Sequence, residues 1–371
     1  MNWSEQLRHN ITTVDELQDY LHYNEDEYLK MQRILKHFPM SITQYYLSLI
    51  DWEDESDPIR RMCIPSVHEI DLDGQFDTSG ESSNTVMEGL QHKYSETALI
   101  LSTNRCATYC RHCFRKRLVG LSEEEIASRY LDQILEYIES HKEISNVLIS
   151  GGDALLNSNM LLKRYLEQLS HIEHLDFIRI GTRTPVVLPM RIYKDEEFLG
   201  ILKHYNKRKQ IYIVTHFNHP KEITPQSTAA VAALLKIGIP VRNQTVLLKG
   251  VNDASLILGT LLKELTAIGV LPYYVFQCRP VTGVKNQFQV PLEKGYAIVE
   301  AAKNMQNGIG KNFRYVLSHE TGKIEILGPT ANNRMIFKYH QAKYNKDSGR
   351  IFTCRLTKQQ CWLNEIPDPN S

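Results

Sequence analysis

The chain has 371 residues, enough to bury a large core as one barrel with additions or as two domains. Its 43 basic and 43 acidic residues balance, so no charge excess points to nucleic acid or to an anionic membrane. No apolar run is long enough to span a bilayer, and the opening Met-Asn-Trp-Ser-Glu-Gln does not read as a signal peptide. Seven cysteines, an odd number with three packed together, favour a reducing compartment and a metal site over a disulfide framework. The expectation is a soluble cytoplasmic protein.

In chain order, Thr13 with Glu16 three residues on forms a capping signature, and apolar positions then recur with helical spacing through Leu35. The run from Ser41 to Ile50 predicts another helix, broken by acidic Asp51 to Asp57 and by Pro58. Residues 72–91, rich in Gly, Ser, Asp and Thr, read as an irregular linker. From about residue 97, short strand candidates alternate with amphipathic stretches. The strands are Thr97–Ser102, Asn146–Ser150, Phe177–Gly181, Ile211–Thr215, Val241–Leu247 and Tyr273–Gln277; the helices include Ser122–His141, Asn157–His171 and Pro225–Ile237. Six such units suggest a partial or complete (β/α) barrel, with an open doubly wound sheet as competitor; no Gly-x-Gly-x-x-Gly follows the first strand. The C-terminal part is strand-rich, with candidates at Phe313–Leu317, Lys323–Leu327 and Met335–Tyr339 and a turn at Lys346 to Gly349. The predicted divisions are 1–92, 93–310 and 311–371.

The densest chemical signal is Cys106, Cys110 and Cys113 in a C-x3-C-x2-C run. Three thiolates can hold three irons of a [4Fe–4S] cluster and leave the fourth iron open for a non-protein ligand. A structural zinc site would need a fourth ligand, here His112 or a remote cysteine. The triad follows the first strand candidate, at the end where (β/α) barrels carry their active sites. Ser150-Gly-Gly-Asp153 follows the second, with glycines that let backbone approach a ligand and an acceptor at Asp153.

With these elements the chain resembles the radical S-adenosylmethionine (SAM) enzymes, and among them the lysine 2,3-aminomutase group. The resemblance rests on the cysteine run together with Ile11–Leu17, Ile42–Asp51, Ile149–Leu156, Ile178–Pro189, Thr215–Pro220 and Asn243–Asp253. It implies a partial (β/α)6-type TIM barrel over 93–310, with an N-terminal helical extension and a C-terminal strand-rich segment. It also implies that reductive cleavage of SAM at the cluster yields a 5′-deoxyadenosyl radical that abstracts substrate hydrogen. Gly151, Gly152 and Asp153 match the segment for the methionyl amino group, His112 the position flanking adenine, and Gln244 a segment near SAM. A flavodoxin- or ferredoxin-type reductant is implied, and assembly into a homo-oligomer is left open.

The group further implies pyridoxal 5′-phosphate (PLP), whose aldimine with an amino acid carries a 1,2-amino shift to a β-amino acid. The matching lysine is Lys323, although the glycine run before it is replaced by Ser318-His-Glu-Thr-Gly322. Of two basic residues expected for the phosphate, Lys93 is kept and the second is Thr97. Arg115 matches the arginine for the substrate carboxylate. The two aspartates that hold the lysine ammonium fall at Arg279 and roughly Val316. Arg279 would repel a cationic side chain and suits a distal carboxylate, or else an ion pair with Glu320. An acidic amino acid such as glutamate is therefore expected rather than free lysine. The alternatives are a PLP-independent enzyme of the group acting on another or protein-bound substrate, and a non-catalytic iron–sulfur electron-transfer module. Cys63, Cys278, Cys354 and Cys361 read as ordinary thiols, and His216 and His219 as packing or polar-network residues.

Overall fold

The computed structural model describes residues 3–120 and 129–367. They form a mixed α/β structure on one sheet of twelve strands. These are β1 (Thr85–Met87), β2 (Leu90–Tyr94), β3 (Thr97–Thr103), β4 (Asn146–Gly151), β5 (Phe177–Gly181), β6 (Gln210–Thr215), β7 (Val241–Leu247), β8 (Val270–Gln277), β9 (Arg314–His319), β10 (Gly322–Pro329), β11 (Met335–Ala342) and β12 (Ile351–Cys354). Spatial order follows chain order from β1 to β12. Strands β3 to β9 are parallel. The β1–β2 hairpin is added antiparallel to β3, and β10–β12 antiparallel to β9.

Among the described residues, the helices of ten residues or more between the parallel strands are Leu131–Ser140, Asn159–His171, Glu196–Asn206, Pro225–Lys236, Ser255–Ala267 and Leu292–Asn304. Their starts are set by local chemistry. Ser158, Asp195 and Thr224 accept hydrogen bonds from backbone N–H groups three residues on, and Pro225 fills a first-turn position that needs no donor. The strand order never reverses, so the switch point of a doubly wound sheet is missing. Ala98, Ile100, Val147, Ile149, Ile178, Ile180, Ile211 and Ile213 are fully buried on the helix side. The alternate positions Leu99, Leu148, Arg179 and Tyr212 are register partners on the other face. That face lines a cavity shared by residues of β2 through β11, so the sheet curls around it.

The N-terminal part differs from the expected long helix. Val14–Leu17 closes after one turn, and a second capping box at Asn24 and Glu27 starts Glu25–His37 afresh. Ile42 pairs with Ile11 as a bridge, leaving helix only at Gln44–Leu47. Pro58 opens the helix Pro58–Cys63 under an Asp57 cap, as well as following a break. Residues 72–91 are not an irregular linker throughout: they hold the turn Glu81–Asn84, β1 and the start of β2. Their short strands are fixed by backbone pairing of β1 to β2 and of β2 to β3, which leaves no long apolar pattern to read. For the predicted helix Ser122–His141, the described part is Leu131–Ser140, and 121–128 lie outside the described residues. No helix among the described residues is long and apolar enough to cross a membrane.

This N-terminal segment clamps the cysteine loop. Asn10 donates to the Ala107 carbonyl at 2.8 Å, Tyr109 N–H to Ser41 O at 2.9 Å, and Arg111 N–H to Met62 O at 2.9 Å. Beneath the loop, Glu69 takes Arg111 at 2.5 Å and also Lys116, with Glu69 wholly buried and both cations nearly so. Burial alone would raise the Glu69 pKa, but the two cations hold it below the ordinary value. Glu69→Gln should cost about 3–5 kcal/mol, because it leaves two buried cations short of their counter-charge. Urea unfolding of the two proteins measures this directly.

Candidate active site

The three cysteines sit in the loop after β3, at the carboxyl end of the parallel strands. All are free, and burial pushes the Cys106 thiol up and the Cys113 thiol up to about 11, so irons must displace those protons. Among the described residues, no three His, Cys, Asp or Glu side chains are placed around one metal ion. Arg183, in the loop after β5, donates to Cys110 Sγ at 2.8 Å. The same guanidinium binds Tyr46 Oη at 2.7 Å and the buried Glu222 at 2.6 Å.

Gly151 and Gly152 stand directly behind the cysteine loop. A Cβ on Gly151 would lie 2.3 Å from Thr103 O, and one on Gly152 2.3 Å from Arg105 O. Gly151 also has a φ of +117°, a conformation that glycine alone adopts readily. The strand end and the loop thus meet backbone to backbone, through Gly152 N–H to Thr103 O and Asp153 N–H to Arg105 O at 2.7 Å. The Asp153 carboxylate, in the segment matched to the methionyl amino group, faces inward. It accepts from Thr182 Oγ1 at 2.5 Å, Arg183 N–H at 2.8 Å and Leu155 N–H at 3.0 Å. Burial raises its pKa against those three donors. None of these three residues lines the cavity; they lock the loops after β3, β4 and β5 together.

The cavity occupies about 640 Å³. Near the cysteine loop it is lined by His112, His216 and Gln244. The His112 ring is held neutral by burial, and its Nδ1 is sealed from solvent without a partner. His216 does more than pack at a strand end: it lines the cavity, its Nδ1 meets Gln244 O at 3.0 Å, and burial lowers its pKa to about 4. His219 caps the turn at Pro220–Glu222, as a polar-network residue would.

At the sheet's other side, Lys323 projects from β10 into the same cavity rather than into solvent. Its Nζ donates to Gln341 Oε1 at 2.7 Å and lies 4.7 Å from the Tyr94 ring centroid. Burial first, then Arg179, pull its pKa from 10.5 to about 7, with Glu96 opposing. Lys93 also lines the cavity, but its Nζ is given to His319 O at 2.7 Å and Ser79 O at 3.3 Å; burial and then Arg279 lower it to about 7. Arg115 lines the cavity with its Nε on Glu81 at 2.7 Å and Nη1 on Gly151 O at 3.3 Å. Arg279 lies over the Phe114 ring at 4.5 Å and is held by the hydroxyls of Ser79 and, at 2.6 Å, Ser318. It makes no ion pair with Glu320 or with another carboxylate among the described residues.

Sequence reasoning missed Arg183, Arg179, Arg242, Glu81 and the tyrosines Tyr94, Tyr212 and Tyr273. Arg179, Tyr212 and Arg242 were legible in one respect: they are polar or amphipathic residues at alternate positions of apolar strand candidates.

A cysteine loop above a cavity lined by cationic and aromatic side chains, on a sheet of consecutive βα units, is the arrangement a radical SAM enzyme needs. The Radical SAM superfamily model matches residues 100–257. L-lysine 2,3-aminomutase of Clostridium subterminale is 39% identical over 83% of this chain and 73% of its own length. A relative from Aquifex aeolicus is 41% identical over 93% of this chain and 92% of its own. Glutamate 2,3-aminomutase of Clostridioides difficile is 38% identical over 83% and 72%. The chain belongs to the lysine 2,3-aminomutase family and is an enzyme of the aminomutase type.

Gly152→Ala would drive a methyl into the Arg105 carbonyl and push the cysteine loop outward. Anaerobic reconstitution should then give less iron per chain than the native protein, read by iron assay and visible absorbance.

Proposed function

We propose that the enzyme is a radical SAM amino acid 2,3-aminomutase that uses PLP on Lys323 and takes an acidic amino acid in preference to free lysine. The curling of the sheet around one cavity supports its description as a partial (β/α)6-type barrel. Cys106, Cys110 and Cys113 would hold the cluster. Burial first, then Asp153 and the neighbouring Cys113 and Cys110, raise the Cys106 thiol, so the three thiols stand together as ligands of one polynuclear centre would. His112 fits SAM through its buried, unpartnered Nδ1, beside Gln244 and His216. When bound, these groups supply a carbon radical for hydrogen abstraction, and PLP supplies a π-system for the nitrogen shift.

The observation that carries the reading is the environment of Lys323. A buried amine with its pKa near 7 is partly neutral at working pH, and neutral amine is what attacks an aldehyde. It shares one cavity with the residues that face the cluster side. The chain's own residues then hold the amino acid and exclude water. Arg115 stands near the cysteine loop, braced by Glu81, as a donor to the α-carboxylate. Arg279 is buried with only hydroxyls to satisfy it, which leaves room for a second carboxylate and disfavours an ammonium. Burial lowers even this guanidinium to about 10.

Anaerobic reconstitution with SAM, PLP and a panel of amino acids, scoring 5′-deoxyadenosine and β-amino acids together, tests the assignment. Glutamate or another acidic amino acid should turn over, and robust conversion of free lysine would overturn the substrate reading. Arg279→Gln should lower kcat/KM for the acidic substrate about 10- to 100-fold, the loss of one charge-assisted pair. Lys323→Ala should abolish the absorbance band given by PLP. In the native protein that band should grow as pH rises through about 7, where the folded amine loses its proton, rather than near 10.5. A band of unchanged strength in Lys323→Ala would favour the PLP-independent alternative.

A further inference from the structure

The amino-terminal half of the cavity contains a second cationic group, away from the cysteine loop and without the acids that would neutralise it. Arg179 on β5 donates Nη2 to Asn146 Oδ1 at 2.5 Å, while its Nε is sealed from solvent with no partner. Asn146 is itself tied to Thr97, its register partner on β3, through a 3.2 Å bond to Oγ1. Tyr212 is the register partner of Arg179 on β6. The Arg242 guanidinium rests on the rings of Tyr212 and Tyr273, at 5.8 and 5.6 Å. Neither arginine forms an ion pair with a carboxylate among the described residues. The acid in the neighbourhood is Glu96, whose carboxylate is occupied by the Gln341 amide and by Ser95 Oγ at 3.1 Å. Gln341 in turn accepts from Lys323, so the amine, Glu96 and the two arginines line one space.

A desolvated guanidinium with an idle N–H is costly unless an anion completes it. Its planar fork matches the oxygens of a phosphate, and two such groups match a dianion. Arg115 and Arg279 belong to the part of the cavity nearer the cysteine loop, where Phe114 carries both guanidinium groups. On the reading above the substrate carboxylates fall to Arg115 and Arg279, so an anion at Arg179 would be a different one. We propose that Arg179, assisted by Arg242, forms the binding site for the phosphate monoester of an aldehyde cofactor held at Lys323, with the uncharged Thr97 and Asn146 completing the pocket. This rests on the PLP reading above, and it assigns the phosphate to the β5 and β7 arginines rather than to Lys93, whose Nζ is spent on the His319 and Ser79 carbonyls.

The test compares PLP with pyridoxal, which lacks the phosphate, on reconstituted native protein, Arg179→Gln, Arg179→Lys, Arg242→Gln and Lys323→Ala. Affinities come from the cofactor band, and thermal melting confirms folding. The preference of the native protein for PLP over pyridoxal should fall about 10- to 100-fold in Arg179→Gln, fall less in Arg242→Gln, and recover in part in Arg179→Lys. Pyridoxal affinity itself should stay near the native value. An unchanged preference, or equal weakening of both aldehydes, overturns the phosphate site while leaving the cofactor reading intact. If native protein and Lys323→Ala behave alike toward both aldehydes, the cofactor reading fails instead. Calorimetry with inorganic phosphate then decides the anion site alone: binding heat lost in Arg179→Gln upholds it, and no heat with native protein removes it.

Discussion

Arg183 ties four parts of the chain together in a space closed to water. Its guanidinium spans Cys110 of the cysteine loop, Tyr46 of the N-terminal segment and Glu222 after β6, while its own backbone N–H is fixed by Asp153 after β4. Glu222 closes the arrangement by accepting the Asn218 and His219 N–H groups and the Tyr46 hydroxyl. Each of these groups is costly to bury alone, so the loops can reach their positions only together. The cysteine loop is held from behind by this network and by the backbone contacts of Gly151 and Gly152. It is held from outside by the N-terminal segment.

The cavity itself shows the opposite balance. Lys93, Arg115, Arg179, Arg242, Arg279 and Lys323 line it against Glu81 and Glu96 alone among acids. Glu81 is already consumed by Arg115 and Arg117, and Glu96 by neutral donors. Burial first, and then the neighbouring positive charge, lower the pKa of the amines present, which is how Lys93 and Lys323 come to about 7. The same surplus would favour ligands that bring negative charge, such as the proposed phosphate ester and dicarboxylic amino acid, over an amino acid with a second ammonium group. One electrostatic condition would thus prepare the proposed nucleophile and filter the proposed substrate.

Much of the fold was legible because β3 to β8 are buried on their helix-facing side, so short apolar runs mark them and capped amphipathic stretches mark the crossovers. Phe177–Gly181 and Val241–Leu247 match their predicted bounds for that reason. The β1–β2 hairpin is hard to read from sequence because backbone pairing, β1 to β2 and β2 to β3, fixes it rather than an apolar face. The N-terminal helix was drawn too long because Asn24 restarts a helix where periodicity alone runs on.

The sequence by itself determined the chemistry that depends on local spacing: three thiols within eight residues, the glycines behind them, and a lysine after Gly322 on a strand-rich segment. Those signals persist whatever the rest of the chain does. Only the tertiary structure decided which charges remain unpaired. It turned Asp153 away from the cavity onto two backbone N–H groups and the Thr182 hydroxyl, and gave Lys93 to main-chain carbonyls. It also aimed Arg179 and Arg242 inward from strands distant from Lys323 in sequence. The availability of a charged group depends on which neighbours reach it and how much water is removed, and both are set by packing between residues far apart in the chain.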